Sequence, residues 1–550
     1  MTPATRANRT AGSLRLGAAL ALALAFVVAG CGPDRQKAMA LADQAQQQLD
    51  AGDLRDAIVT INQAIREQDD VADIYLLKAR IALAANRPAD VFQAFSQATE
   101  LEPNNVDALR GLAQIAFQLG RTDDAGKAVN QLLAQSPADP IARLVKGLIA
   151  LAKCRPQTAL DLAGQILANN AADEGGMILR TRALFALNRD GEARATLDEA
   201  TRRHGNTYGL LLTRLEMDRV AGDPTALKAD FAAMRRLQPR NGDFAVQQVN
   251  FLYKSGDVPG ARREGLALLR SGILQGDGLD RLARLWREYD PAPLGPADLA
   301  DLAARGPRPS RISAAQHYLE VGQAAPARAL LGGLDGSDAA GLMARVRLLA
   351  GQRDEAEAAA RSVLAQDKTQ CEALLALAGA RLAAGQREEA SARAEEATAE
   401  CPRQWLAYVA MADANAGSIP QLDRVTAAAL DADPQNGALA RALASRWLAR
   451  GQGDRAEAVA RRVTRSAPGL MSGWVLLQEL CRRSTDAACA GDAGRGLAQA
   501  RKLYAIDPLP GQRPLAGGGA IGCRGAGSPA PAPQPDQDQV RRTRSSTAAI

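Results

Sequence analysis

Tyr75-Leu-Leu-Lys-Ala79, Asn86-Arg-Pro88, Phe95, Ala98 and Pro103-Asn-Asn105 reappear 34 residues later as Leu109-Arg-Gly-Leu-Ala113, Gly120-Arg-Thr122, Val129, Leu132 and Pro137-Ala-Asp139. One segment is written almost twice, and its register runs beyond both copies. Steps of 34 from Gly52 reach Asn86, Gly120, Cys154, Asn188, Gly222 and Gly256, a column dominated by residues that tolerate a tight turn between helices. Five residues on stand Ala57, Val91, Ala125, Ala159, Ala193, Leu227 and Ala261, and four further on Ile61, Phe95, Val129, Ala163, Leu197, Phe231 and Gly265. All are apolar or Gly, and the spacing between the columns is that of one helix face, which predicts units of helix, turn and second helix. Such a unit cannot bury its own apolar face, so stacked neighbours supply the missing core.

The totals agree. A repeat array can fill 550 residues with one continuous core, and an aromatic content of 3% beside abundant Ala suits closely approaching helices rather than strands. The formal net charge is +6, but the three charges of the first 30 residues are all Arg (Arg6, Arg9, Arg15). Without them 64 basic residues face 61 acidic ones, and nucleic-acid binding loses its compositional support.

At these residues the sequence resembles the tetratricopeptide repeat family, whose 34-residue unit has small residues at positions eight, twenty and twenty-seven and a Pro near position thirty-two. Position eight here holds Ala45, Ala79, Ala113, Gly147, Thr181, Leu215 and Val249; the Pro stands as Pro103, Pro137, Pro239, Pro402, Pro434, Pro468 and Pro508. The family's aromatic near position four is met mainly by Tyr75, so packing through Ala and Leu is expected. The resemblance implies an all-α, right-handed solenoid of helical hairpins, about 13–14 units long.

Residues 1–30 read as an export signal, with a basic start, an apolar run from Leu16 to Ala29 too short for a comfortable membrane span, and small residues at its end. Val28-Ala29-Gly30-Cys31 resembles the bacterial lipobox, which implies that Cys31 becomes the acylated first residue of the mature chain. An ordinary signal with a stray Cys, or an uncleaved anchor, is the alternative. Gly32 follows where an Asp would favour inner-membrane retention in enteric bacteria, so the reading leans toward the outer membrane.

Residues 34–275 form a first array. The register blurs over 276–307, where Pro291, Pro293 and Pro296 interrupt a turn and second helix, and a degenerate unit with a bend is expected. A second array, 308–508, recovers the pattern at Gly322, Gly351, Gly385, Gly417 and Gly451. The tail 509–550 is rich in Gly, Pro, Ala and Ser and is expected to be disordered.

In the family the solvated side of each first helix lines a concave groove. Position nine (Gln46, Arg80, Gln114, Leu148, Arg182, Glu216, Asn250) is mostly polar and is the first place to seek ligand contacts. At position five, Leu144, Ile178, Leu212 and Val246 offer either a strip for an apolar or amphipathic peptide or side chains packed into the next unit, and packing is the plainer reading. Phe117, Phe185 and Tyr253 at position twelve pose the same choice. The candidate groove set is Arg80, Gln114, Leu144, Ile178, Arg182, Leu212, Val246 and Asn250.

Cys371 and Cys401 stand at positions one and thirty-one of one unit, which brings the start of one helix to the end of its antiparallel partner and within disulfide reach. Cys481 and Cys489 flank an insertion in the last unit and are a second possible pair. Four buried or free thiols are the alternative. Cys154 occupies a turn position and is given no role. His204 and His317 have no Cys or carboxylate at ligand spacing, and Gly517-Gly-Gly-Ala-Ile-Gly522 matches a dinucleotide fingerprint without the strand and helix it needs. No metal, cofactor, small-molecule substrate or catalytic activity is expected. The expected partners are proteins of the cell envelope, and the membrane through the lipid on Cys31. A cytoplasmic or inner-membrane-anchored regulatory repeat protein is the rival reading. A globule in which distant hairpins pack together across the array would remove the adaptor account.

Overall fold

The computed structural model describes residues 34–502 except Asn86 and Thr485. Residues 1–30, expected to be an export signal, Cys31 and the tail 509–550 lie outside the described residues. Those residues form 28 helices and no strand, arranged as successive antiparallel hairpins, and fall into two compact units, 34–200 and 201–502.

The first unit opens with the hairpin Arg35–Ala51 and Leu54–Glu67 and repeats it through Ala72–Ala84, Val106–Gln118, Pro140–Ala152 and Glu174–Ala186, each with its second helix. Asp34, Asn105, Asp139 and Asp173 cap first helices by accepting a backbone N–H of the first turn. The turn column takes positive φ at Gly52, Gly120, Cys154 and Asn188, so the last two adopt a conformation glycine would hold more easily. Positions eight and twenty (Ala45, Ala79, Ala113, Thr181; Ala57, Val91, Ala125, Ala159, Ala193) are buried where neighbouring helices meet. The Thr181 hydroxyl is satisfied by the Met177 carbonyl at 2.9 Å. Gly147 has no room for a methyl, because Leu179 of the next first helix occupies that space. Cys154 is also in a disulfide.

The second unit continues from Tyr208–Ala221 to Ala487–Lys502. Residues 276–307 hold a hairpin of Asp277–Tyr289 and Pro296–Arg305, with Pro296 at the start of the second helix, where its missing N–H costs nothing. The linker between them is fastened: Asp290 accepts from Arg262 at 2.6 and 2.8 Å and from the Tyr253 hydroxyl at 3.3 Å, and the Tyr318 hydroxyl accepts from the Leu294 N–H at 3.2 Å. Gly322, Gly351, Gly385 and Gly451 take positive φ; Gly417 does not, because helix Trp405–Ala414 stops short and is capped at Asn415. A disulfide joins Cys371 to Cys401 (Cα atoms 6.3 Å apart) and another joins Cys481 to Cys489 (5.5 Å).

Two features of this unit depart from simple stacking. First, the first helices of four successive hairpins carry a ladder of alternating charge: Arg287 pairs with Glu320, and Arg345 pairs with Glu372 at 2.5 Å, whose other oxygen accepts from Gln404 at 2.6 Å. Burial pushes the Glu320 carboxyl up, against the pull of Arg287 and Arg345. Second, hairpins far apart in sequence touch. Lys254 Nζ donates to the carbonyls of Gly469 (2.9 Å) and Ala500 (3.2 Å), and Glu288 accepts from the Ser472 N–H (2.8 Å) and hydroxyl (2.5 Å). Contacts are therefore not confined to adjacent hairpins. The contact is a polar seam rather than a shared core, so the unit remains a stacked array.

Candidate protein-binding groove

Positions five, nine and twelve lie at i, i+4 and i+7 on each first helix and therefore share a face. In the first unit that face is partly open. Arg80 and Gln114 are exposed, Leu144, Ile178 and Arg182 are half-buried, and Phe117 and Leu148 are half-buried beside them. Leu83, at position twelve, is 54% exposed and was not singled out by the sequence pattern, since a Leu at that column reads as core. Arg110 is already engaged, donating to Asp139 at 2.9 and 2.7 Å across the hairpin interface. The face therefore presents apolar side chains between guanidinium and amide groups, suited to an amphipathic segment.

In the hairpins of residues 208–254 most of the same positions are filled, Glu216 alone of the named residues staying half-buried. Leu212, Val246 and Asn250 are 6%, 5% and 4% exposed, and Tyr253 is buried. The cause is an aromatic concentration between residues 208 and 318: Tyr208 against Phe244, Phe231 against Phe251, Tyr253 stacked on Tyr289, and His317 between Trp286 and Tyr318. A content of 3% averaged over the chain hides this local density. These three residues present almost no surface to a ligand, so the open part of the candidate set is Arg80, Gln114, Leu144, Ile178 and Arg182.

His317 is held in the core, its Nε2 3.2 Å from the Pro291 carbonyl, and burial lowers its pKa to about 4, with Arg287 adding to the effect. Glu457, Cys481 and Cys489 are close enough together to suggest metal ligands. They do not fit the role: both thiols are spent in the disulfide, and Arg461 donates to Cys489 Sγ at 3.1 Å, adding positive charge where a cation would sit.

The class defined by this architecture is the helical-hairpin solenoid. Two tetratricopeptide repeat family models match residues 42–90 and 82–149, and this stretch consists of tetratricopeptide repeats. No protein of curated function matches the chain. Among solved structures, one described as a functional characterization of Pseudomonas aeruginosa pilF is 18% identical, covering 37% of this chain and 94% of its own, with a TM-score of 0.30. PilW, described as a widely conserved type IV pilus biogenesis factor, is 18% identical over 37% of this chain and 94% of its own, TM-score 0.31. YrrB, described as a TPR protein with an unusual peptide-binding site, is 14% identical over 32% and 92%, TM-score 0.29. At such identities and TM-scores these likenesses carry no argument about function.

Proposed function

We propose that this protein is a non-catalytic adaptor that holds a segment of a partner protein on the open face of residues 34–200. The observation that carries this reading is the contrast at positions five and nine between the hairpins of residues 72–186 and those of residues 208–254: Arg80, Gln114, Leu144 and Ile178 reach solvent where Leu212, Val246 and Asn250 do not. A face of half-buried apolar side chains set between polar ones supports binding of an amphipathic segment. The lipobox-like Val28-Ala29-Gly30-Cys31 supports export and a lipid anchor on the periplasmic side, at the outer membrane rather than the inner, and the disulfides support an oxidising compartment. The layout resembles that of repeat lipoproteins serving exopolysaccharide export, pilus or outer-membrane assembly, and this resemblance supports an adaptor role toward a protein of the cell envelope.

The test places a photocrosslinking amino acid at Gln114 or Ile178, with Leu212 as control, in the membrane-bound protein. A discrete adduct from the first two sites and none from the third supports the groove, and equal labelling at all three removes it. Incorporation of a palmitate analogue, abolished by Cys31→Ser, supports the anchor; none in the wild type leaves the regulatory alternative.

A further inference from the structure

The polar seam of the second unit has an unusual construction. Helix Met471–Arg483 begins after Leu470, which offers no side-chain cap. The Glu288 carboxylate takes that place from 184 residues away, accepting the Ser472 N–H where the positive end of the helix dipole lies. Lys254 sits on the carbonyls of Gly469 and Ala500 at the two ends of the same terminal hairpin. Gly437 makes the approach possible: a methyl there would overlap the Ser472 hydroxyl and lie 3.4 Å from Glu288 Oε2. At the rim, Arg403 donates to Asp277 at 3.1 Å.

Among the described residues no apolar core cluster spans this contact. One core cluster runs from Leu211 to Val346 and another from Trp405 to Cys489 and Ala493, and they share no residue. Hydrogen bonds to charged groups stabilise the seam, and desolvating a carboxylate and an ammonium offsets much of that gain. The closed arrangement is therefore held by a small margin, whereas neighbouring hairpins are held by whole cores.

We propose that this seam is a latch: the second unit exchanges between a closed form, with Glu288 and Lys254 engaged on residues 469–472 and 500, and an open form in which the hairpins of residues 405–502, which share one core, swing away together while every hairpin stays folded. This makes the unit a two-state element whose balance shifts with any ligand specific for one form. The inference does not rest on the groove reading, because it involves none of the groove residues.

The experiment uses the full chain and two readouts, acylation of Lys254 by an amine-reactive ester and amide hydrogen exchange over residues 471–473. In Glu288→Ala both rates are expected to rise roughly tenfold, the change that a loss of about 1.4 kcal/mol produces, while exchange in the helix around Leu443 stays unchanged. Ser472→Ala, a milder change on the other side, is expected to move both in the same direction by less. Asp277→Cys with Arg403→Cys, joined by a short bismaleimide in the Glu288→Ala background, is expected to return Lys254 to the wild-type rate. If Lys254 acylation in Glu288→Ala stays at the wild-type rate, or rises as much in the crosslinked protein, Glu288 is only a local cap and the latch is wrong. If Leu443 exchange rises with the others, the variant has unfolded the hairpins and the latch is equally rejected.

Discussion

Gly52 closes the first hairpin at φ 82° with nothing within 4 Å of where a Cβ would stand. Gly126, inside helix Thr122–Gln135, has the same free space but ordinary helical backbone. Gly52→Ala should therefore destabilise the first unit by about 1 kcal/mol, through backbone strain alone, and Gly126→Ala should stabilise it by about as much. Paired denaturant titrations with unchanged slopes check both signs. This column was legible in the sequence down to Cys154 and Asn188, because a 34-residue step reports where the backbone must reverse. It failed at Gly417, where a shortened helix shifts the turn. His317 was legible only as a lone histidine. Its folded pKa of about 4 lies below the unfolded 6.5, so the unfolded chain binds more protons between those values; stability is fully present above 6.5 and falls by about 3 kcal/mol as the pH drops to 4. Asp230, raised to about 6 by burial against the pull of Arg214, acts in the opposite sense, losing stability as the pH rises from 3.8 through 6. Comparing wild type with His317→Gln between pH 7 and 4 isolates the histidine, and the variant should be less sensitive to acid.

At the scale of the element, small residues set how closely helices approach. Gly147 faces Leu179, so Gly147→Ala should cost about 1–3 kcal/mol through overpacking. Combining it with Leu179→Ala should recover part of that cost, leaving a favourable coupling in a double-mutant cycle; strict additivity would show that the two side chains do not compete. The apolar columns were readable because each reports burial against the adjacent hairpin, a neighbour in sequence. The groove was half readable. At position five the pattern writes Leu144 and Leu212 alike, yet the first is half-buried and the second buried, since the difference comes from aromatics on other helices.

Over the molecule as a whole, what escaped the sequence is what pairs residues at long range. The seam joins positions 184 to 246 apart, and no periodic signal marks such contacts. The ladder is shorter in range, and each of its members passes for a surface charge until the helices are assembled. Arg345→Met, which strands the buried Glu372, should cost about 3–5 kcal/mol, whereas Arg345→Met with Glu372→Met should recover most of it. Thermal unfolding of the two variants side by side decides this, and equal losses would mean that the pair was never desolvated.

The ladder also bears on how such a chain can grow or shrink by duplication. Its sign changes at every hairpin from Arg287 through Glu320 and Arg345 to Glu372, so it has a parity. Excising the hairpin that carries Glu320 sets two guanidinium groups against each other, and inserting one copy of it sets two carboxylates together. Loss or duplication of the Glu320 hairpin by itself is thus opposed by like charges, whereas the hairpins at the two ends of the ladder can be lost without setting like charges together.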